Sequence, residues 1–492
     1  MAATGALGLS LATIIVAPRA HAAPPTGKFA YVTSSSSSNV SGYSIDPTTG
    51  RLTALVPPAI VTGGAEVNSG ALDPTGRFLF VTNENSANVS AFTVDASTGL
   101  LTAVVGSPFG SGTSPNSATV DPSGLHLYVA NEGDGTITVY SIDGTSGALT
   151  QVAGSPFAVA GSTRADSIAI DPSGRFAFVT DDILGGSVYA FAINAASGAL
   201  SPVAGSPFAA GDRPDTVVVD PTGAHVYVGN STSHDVSAFS VSASTGALTP
   251  IAGSPFGVGG SPDKVTMDPA GRFLFTANDG SSGPSAVAAF TVDSTTGALS
   301  PVAGTPFAAG TNPSGVGVDP TGRFLYSANE GSNDVSEFSI APATGVLTPI
   351  TGSPIAAGIE PGAVIMSFPV PAITALAPVK GPAGGGTAVT VSGRGFTAAT
   401  SVSFGGVAAT SFTVVSATQI TAVAPPGTAN STVDVTVTGP SGTSLTSAAD
   451  QYTYTIPVPS TGGAPAAPGV AVLALALVLG GSAVVRRARR AR

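Results

Sequence analysis

Cysteine is absent from all 492 residues. That excludes disulfides, thiolate nucleophiles and cysteine-held zinc, so the fold must rest on packing and strand pairing. Charge is scarce as well, at 9% of residues, and histidine occurs only four times. No P-loop, dinucleotide fingerprint or His-Glu-x-x-His zinc motif occurs anywhere in the chain. An axial histidine or cysteine for a redox centre is missing from the positions that matter below, so no cofactor is expected.

What the chain has instead is 63 glycines, 40 prolines and an abundance of Ala, Ser, Thr and Val. Such a composition without a period signals disorder. Here there is a period. Asp-Pro-(Thr/Ser/Ala)-Gly begins at Asp73, Asp121, Asp171, Asp220, Asp268 and Asp319, with spacings of 48, 50, 49, 48 and 51 residues. A repeat of this length marks solenoids, arrays or propellers.

The second repeat holds four β-like runs, 66–72, 77–82, 88–94 and 100–105, punctuated by Asp73-Pro74-Thr75-Gly76 and Ser97-Thr98-Gly99. Proline presets φ and glycine admits positive φ, so both segments read as tight turns. Four strands per unit is a propeller blade. Second strands occur seven times, around Tyr31, Phe80, Tyr128, Phe178, Tyr227, Phe275 and Tyr326. First strands are also seven but offset, the last falling at 362–366, which predicts a ring closed by residues 361–367. The fold class expected is therefore all-β: a seven-bladed β-propeller over 27–368, then a small immunoglobulin-like β-sandwich over 371–455.

The segments Phe80-Val81-Thr82-Asn83, Tyr128-Val129-Ala130-Asn131 and Tyr227-Val228-Gly229-Asn230 resemble the Tyr-Val-Thr-Asn repeat family. Surface-layer propellers and the lactonase-like propellers, which include 6-phosphogluconolactonase, belong to that group. The stretch from Gly381 to Val391, with Gly393-Arg394-Gly395-Phe396, Val402 to Gly406 and Pro425-Pro426, resembles an IPT/TIG immunoglobulin-like domain. Such a module implies a spacer or interaction role without chemistry.

Both ends read as processing signals. An apolar run, Leu7 to Val16, precedes Ala20-His21-Ala22, which predicts a secretory signal peptide over 1–22. A Pro/Gly-rich linker, 456–468, contains Pro459, Thr461 and Gly462 in a pattern resembling a sortase sorting motif, with Val458 where leucine is usual. An apolar transmembrane segment is expected at 469–485, with an arginine-rich cytoplasmic tail at 486–492. Cleavage by a sortase and retention as a plain membrane anchor both fit this layout. The whole chain has a net charge of −11, but residues 23–462 hold 11 basic against 28 acidic side chains, a net of −17. So acidic a chain does not seek phosphate backbones, and nucleic acid is not an expected partner.

Counting back from each turn aspartate locates the channel mouth. Five residues before it stand Asn68, Asn116, Asp166, Asp215, Asp263 and Ser314, with Gly362 in the closing blade; two earlier stand Glu66, Ser114, Arg164, Arg213, Ser261, Asn312 and Glu360. Asp166, Asp215, Asp263, Arg164, Arg213, Asn68 and Asn116 are the candidate ligand-binding residues. They would either hold a small polar ligand or neutralise one another around solvent. Lactonase-like relatives tend to carry histidine on these inner strands, and neither ring here has one. His126 and His225 occupy a packing position filled elsewhere by Phe78, Phe176, Phe273 and Phe324, and His234 falls in a loop. Calcium is not expected, since the acidic loops are spread over seven blades. The expectation is thus an exported, monomeric, cell-surface propeller that binds a surface ligand, glycan or protein without catalysis. The alternative is a lactonase-like hydrolase using the channel carboxylates and arginines.

Overall fold

A computed structural model describes residues 29–456, apart from residues 96, 368–370, 397–398, 417–418, 440–441 and 445. The expected signal peptide, Pro459, Thr461, Gly462, the apolar segment 469–485 and the arginine tail lie outside the described residues. Among the described residues there is no α-helix, and no helix is long and apolar enough to cross a membrane.

Residues 29–366 form seven antiparallel sheets, one per blade. In every blade the second strand is buried along its whole length, as in Phe78–Asn83, Phe176–Asp181 and Phe324–Asn329. Neighbouring blades cover it on both faces, which is why it reads as a continuous apolar run instead of alternating. Third strands such as Asn88–Val94 are buried over their middle residues. The outer edge is broken in two: Leu101–Ala103 and Phe109–Gly110 both pair with Asn88–Val94. The run expected at 100–105 is shorter than that, because Gly106 at φ 91° turns the chain and the Ser107 hydroxyl takes the Ala91 amide at 2.9 Å.

The Asp-Pro-x-Gly turn works through its aspartate. Asp73 Oδ1 accepts from the amides of Arg77 and Phe78, both at 2.7 Å, and its carbonyl accepts from Gly76 at 2.8 Å. Arg77 therefore stays in the turn, and the strand begins one residue later than the pattern suggests. The arginine lies over the Phe78 ring at 5.0 Å, and the Arg-Phe pairs at 175–176, 272–273 and 323–324 repeat the contact. In the two blades with histidine at the phenylalanine position the arginine is replaced by Leu125 or Ala224. There the imidazole meets the turn aspartate itself, His126 Nδ1 to Asp121 and His225 Nδ1 to Asp220, each at 2.9 Å. These histidines are buried structural groups.

The ring closes between the chain's two distant parts. Pro361–Met366 pairs antiparallel with Phe29–Ser34, completing a blade whose other strands are Asn39–Ile45 and Leu52–Val61. Across the adjoining seam the Tyr326 hydroxyl donates to the Gly50 carbonyl at 2.6 Å, and the Leu52 amide donates to the buried Glu337 Oε1 at 2.6 Å. Gly50 sits at φ 76° with its missing Cβ pointing 2.2 Å from the Phe324 ring, so only glycine fits. The innermost strands crowd each other as closely: a Cβ on Gly315 would lie 1.9 Å from the Gly362 carbonyl oxygen.

Residues 371–456 form a β-sandwich. One sheet holds Ala372–Ala377, Ala388–Arg394, Gln419–Val423 and Ser411–Ser416; the other is built around Thr432–Gly439, Gln451–Thr455 and Ser401–Phe404. Val389, Val391, Ile420, Val435, Val437 and Tyr452 are wholly buried between them, and the Phe404 and Tyr452 rings meet edge to face at 5.2 Å.

Because the clash at Gly315 is with backbone, Gly315→Ala is expected to destabilise the propeller by about 1–3 kcal/mol. Gly384→Ala, where a Cβ meets nothing within 4 Å, is expected to be close to neutral. Urea unfolding of the two variants of the full chain checks both.

Candidate active site at the channel mouth

At one end of every innermost strand the pairing register slips by a residue. Pro115 faces Asn131 and Ser117 faces Ala130, which leaves Asn116 outside the ladder. The same slip frees Asp215, Asp263 and Ser314, and it frees Asn68, Asp166 and Gly362 together with the residue after each. A bulge of this kind adds one residue to one strand and re-aims its side chain. Seven bulges at equivalent places direct six side chains to a common mouth, the seventh position being Gly362.

The preceding turn is strained in the same repeating way. Glu66, Ser114, Arg213, Asn312 and Glu360 hold positive φ of 49–58°, an uncommon conformation for residues other than glycine. It carries Glu66 out of the strand expected to begin there, so that strand starts at Val67.

All seven candidate residues, Asn68, Asn116, Arg164, Asp166, Arg213, Asp215 and Asp263, line one open cavity of about 610 Å³. The direct ion pairs of the two arginines, however, are made with loop carboxylates and not with these aspartates. Arg164 pairs with Glu132 and, at 3.1 Å, with Asp182; Arg213 grips the same Asp182 through two bonds of 2.9 and 3.1 Å. Glu132 and Asp182 come from the loops joining second and third strands. Those loops fold over the mouth and place Glu84, Glu132, Asp182, Asp279 and Glu330 on its wall. The arginines are thereby committed upward to the loops, while the inner-strand aspartates face the channel. Asn116 donates to Asp166, and Asn68 donates to Glu84 at 3.2 Å.

Two groups on the wall escaped sequence reasoning. Lys264, next to the bulge residue Asp263, lines the cavity from within the strand. The available signal was its rarity, since it is one of three lysines in the chain and stands inside a strand. His234 also reaches the mouth, with Nδ1 3.1 Å from the Ser282 hydroxyl of the next blade. A register count along strands cannot place it, because its loop position depends on how the hairpin folds.

Crowded carboxylates in a walled channel ionise reluctantly. Burial pushes Asp166 up to about 7; Lys264 opposes this and the charges of Glu132 and Asp182 add to it. Asp215 is raised as well, again by burial first and then by Asp166 and Asp182, against a hydrogen bond with Ser231. Asp263 is raised by burial and restrained by Lys264. For Lys264 burial favours loss of the proton, but Asp263, Asp166, Asp215 and Glu132 together outweigh it and hold the ammonium above its usual range. The mouth thus combines carboxyls poised to exchange a proton near neutral pH with a protonated amine. Proton transfer to and from an uncharged polar ligand is the chemistry such a set can perform.

The family described as lactonase, 7-bladed beta-propeller matches residues 69–114, 107–261 and 258–365, and the IPT/TIG domain matches residues 371–454. No curated protein matches the chain. Among solved structures, the periplasmic gluconolactonase of Pseudomonas aeruginosa is 19% identical with a TM-score of 0.59, the alignment covering 69% of this chain and 98% of that one. A putative 6-phosphogluconolactonase from Bacteroides fragilis is 22% identical with a TM-score of 0.59, over 70% of this chain and 98% of that one. Another from Bacteroides uniformis is 20% identical with a TM-score of 0.58, over 70% and 100%. At these identities the likeness to the solved structures is one of fold.

The raised Asp166 has a consequence for stability. A carboxyl that holds its proton more tightly when folded stabilises the fold fully below the unfolded range near about pH 4, and that contribution is lost as pH rises through 7. Asp166→Asn removes the ionisation, so the variant is expected to exceed the parent chain in stability by about 4 kcal/mol at pH 8. The difference should vanish toward pH 4. Urea unfolding across that pH range measures it.

Proposed function

The chain belongs to the family of seven-bladed β-propeller lactonases, and from that premise we propose that it hydrolyses a small lactone at the channel mouth. The observation that carries this reading is the Asp166–Asp215 pair beside Lys264, in a cavity whose 610 Å³ suits a sugar-sized ligand. The binding-platform reading leaned on the missing channel histidines. Carboxyls lifted toward neutrality supply the proton-transfer groups that those histidines would have supplied.

The steps balance with water alone. Asp166, ionised, takes a proton from water as the water oxygen bonds to the lactone carbonyl carbon. The Lys264 ammonium faces the oxygen on which negative charge gathers. As the tetrahedral species collapses, the ring C–O bond breaks and Asp215, which holds its proton more tightly, gives it to the departing ring oxygen. A hydroxy acid leaves, its carboxyl proton passes to solvent, and the two aspartates exchange protons with water to regain their starting states. Arg164 and Arg213, held by Glu132 and Asp182, set the rim against which the ring's hydroxyls rest.

For placement, we propose that the chain is exported and displayed at the cell surface, with the IPT/TIG domain as spacer. The small-x-small pattern at Ala20–Ala22, the motif with Pro459, Thr461 and Gly462, and the apolar run before the arginines support this. Protease accessibility of the sandwich on intact cells tests it. A chain confined to the cytosol would contradict it.

A lactone panel assayed against spontaneous hydrolysis tests the chemistry. Turnover is expected, with a bell-shaped kcat/KM near neutral pH that belongs to the aspartate pair as a whole. Asp215→Asn is expected to lower kcat by about 10²–10⁴-fold. Absence of turnover across the panel would leave a channel that only holds its ligand.

A further inference from the structure

The mouth is electrically lopsided. Ten carboxylate side chains and three Lys or Arg side chains line it. Two of the three cations, Arg164 and Arg213, are engaged by Glu132 and Asp182. The opposite arc, from the sixth blade through the seventh to the closing blade, carries Asp263, Asp279, Glu330 and Glu360 and no arginine. These carboxylates feel each other: Glu330 is raised by burial first and then by Asp263, Glu360 and Asp279. Even with Asp166 and Asp215 both protonated, the wall keeps eight carboxylates against three cations.

Resting on the hydrolase reading, we infer that the substrate is an uncharged lactone and that the acidic arc excludes phosphorylated or carboxylated ones. A phosphate needs forked or clustered donors that are free to turn toward it. Here both guanidiniums already lie against loop carboxylates, Arg164 through Nη2 and Arg213 through Nε and Nη2, so their charge is offset before a phosphate arrives, and Lys264 faces Asp263, Asp166 and Asp215. An anionic ligand would bring its charge into an open cup of like sign, whereas a neutral polyol ring finds many acceptors for its hydroxyls. The same field assists turnover. Hydrolysis converts a neutral ring into a carboxylate, which the wall then repels, so product leaves without a dedicated gate.

The full chain is assayed with glucono-δ-lactone and with its 6-phosphorylated counterpart, each corrected for spontaneous hydrolysis. The neutral lactone is expected to have a kcat/KM about 100-fold higher, with the gap narrowing as salt rises from low to 1 M because exposed charges are screened. Glu84→Gln with Glu330→Gln, which removes two wall charges outside the reacting set and keeps an acceptor at each, is expected to narrow the gap at low salt by raising kcat/KM for the phosphorylated lactone. Equal or faster turnover of the phosphorylated lactone would overturn the inference and leave the hydrolase reading standing. A gap that ignores both salt and the double variant would also overturn it. If neither lactone is turned over, both readings fall together.

Discussion

A four-stranded blade has two apolar faces and cannot hide both alone. That constraint governs the propeller. The second strand of each blade is buried on either side by its neighbours, so no blade is complete until the circle is, and the first and last parts of the chain must meet. The Asp-Pro-x-Gly turns hold each strand start in place, and glycine hairpins let one blade's outer loop close over the next blade's aromatic, as Gly147 does over Phe78. Where phenylalanine gives way to histidine, the neighbouring arginine is lost too, and the imidazole takes over contact with the turn aspartate. Side-chain chemistry changes there while the joint between strand and turn persists.

Radial closure also makes the site. A bulge in a single strand would merely twist an edge, but equivalent bulges around a ring aim six side chains at one mouth. Enclosure then alters the chemistry of what is gathered. Carboxyls that would ionise freely on a surface are pushed toward neutrality by burial and by one another, and Lys264 stays charged because it has several of them for company. Asp166 is accordingly a residue whose ionisation opposes folding at the pH where its chemistry would be used, the usual tension between a stable core and a reactive one.

Much of this could be read from the linear chain. The 48–51-residue period, the Pro and Gly punctuation and the apolar second strands specify an all-β propeller, since each arises from local backbone preference and burial repeated along the chain. The match to an immunoglobulin-like second domain follows from equally local signals. Channel residues such as Asp166, Asp215 and Asp263 could be located by register, because a repeat carries position with it. Their partners could not. Arg164 and Arg213 turn to Glu132 and Asp182, and Lys264 and His234 join the wall, through loops whose course no period encodes.

Sequence alone therefore determined the three inner strands of each blade, how many blades they make and which residue of each innermost strand stands at the mouth, for these depend on turn chemistry and alternation over a few neighbouring residues. Tertiary structure alone decided which charges pair and which are left over. Coulomb interactions and desolvation depend on distance through space, and the groups concerned lie tens of residues apart in the chain, as with Arg164 and Glu132, brought together only when the circle closes.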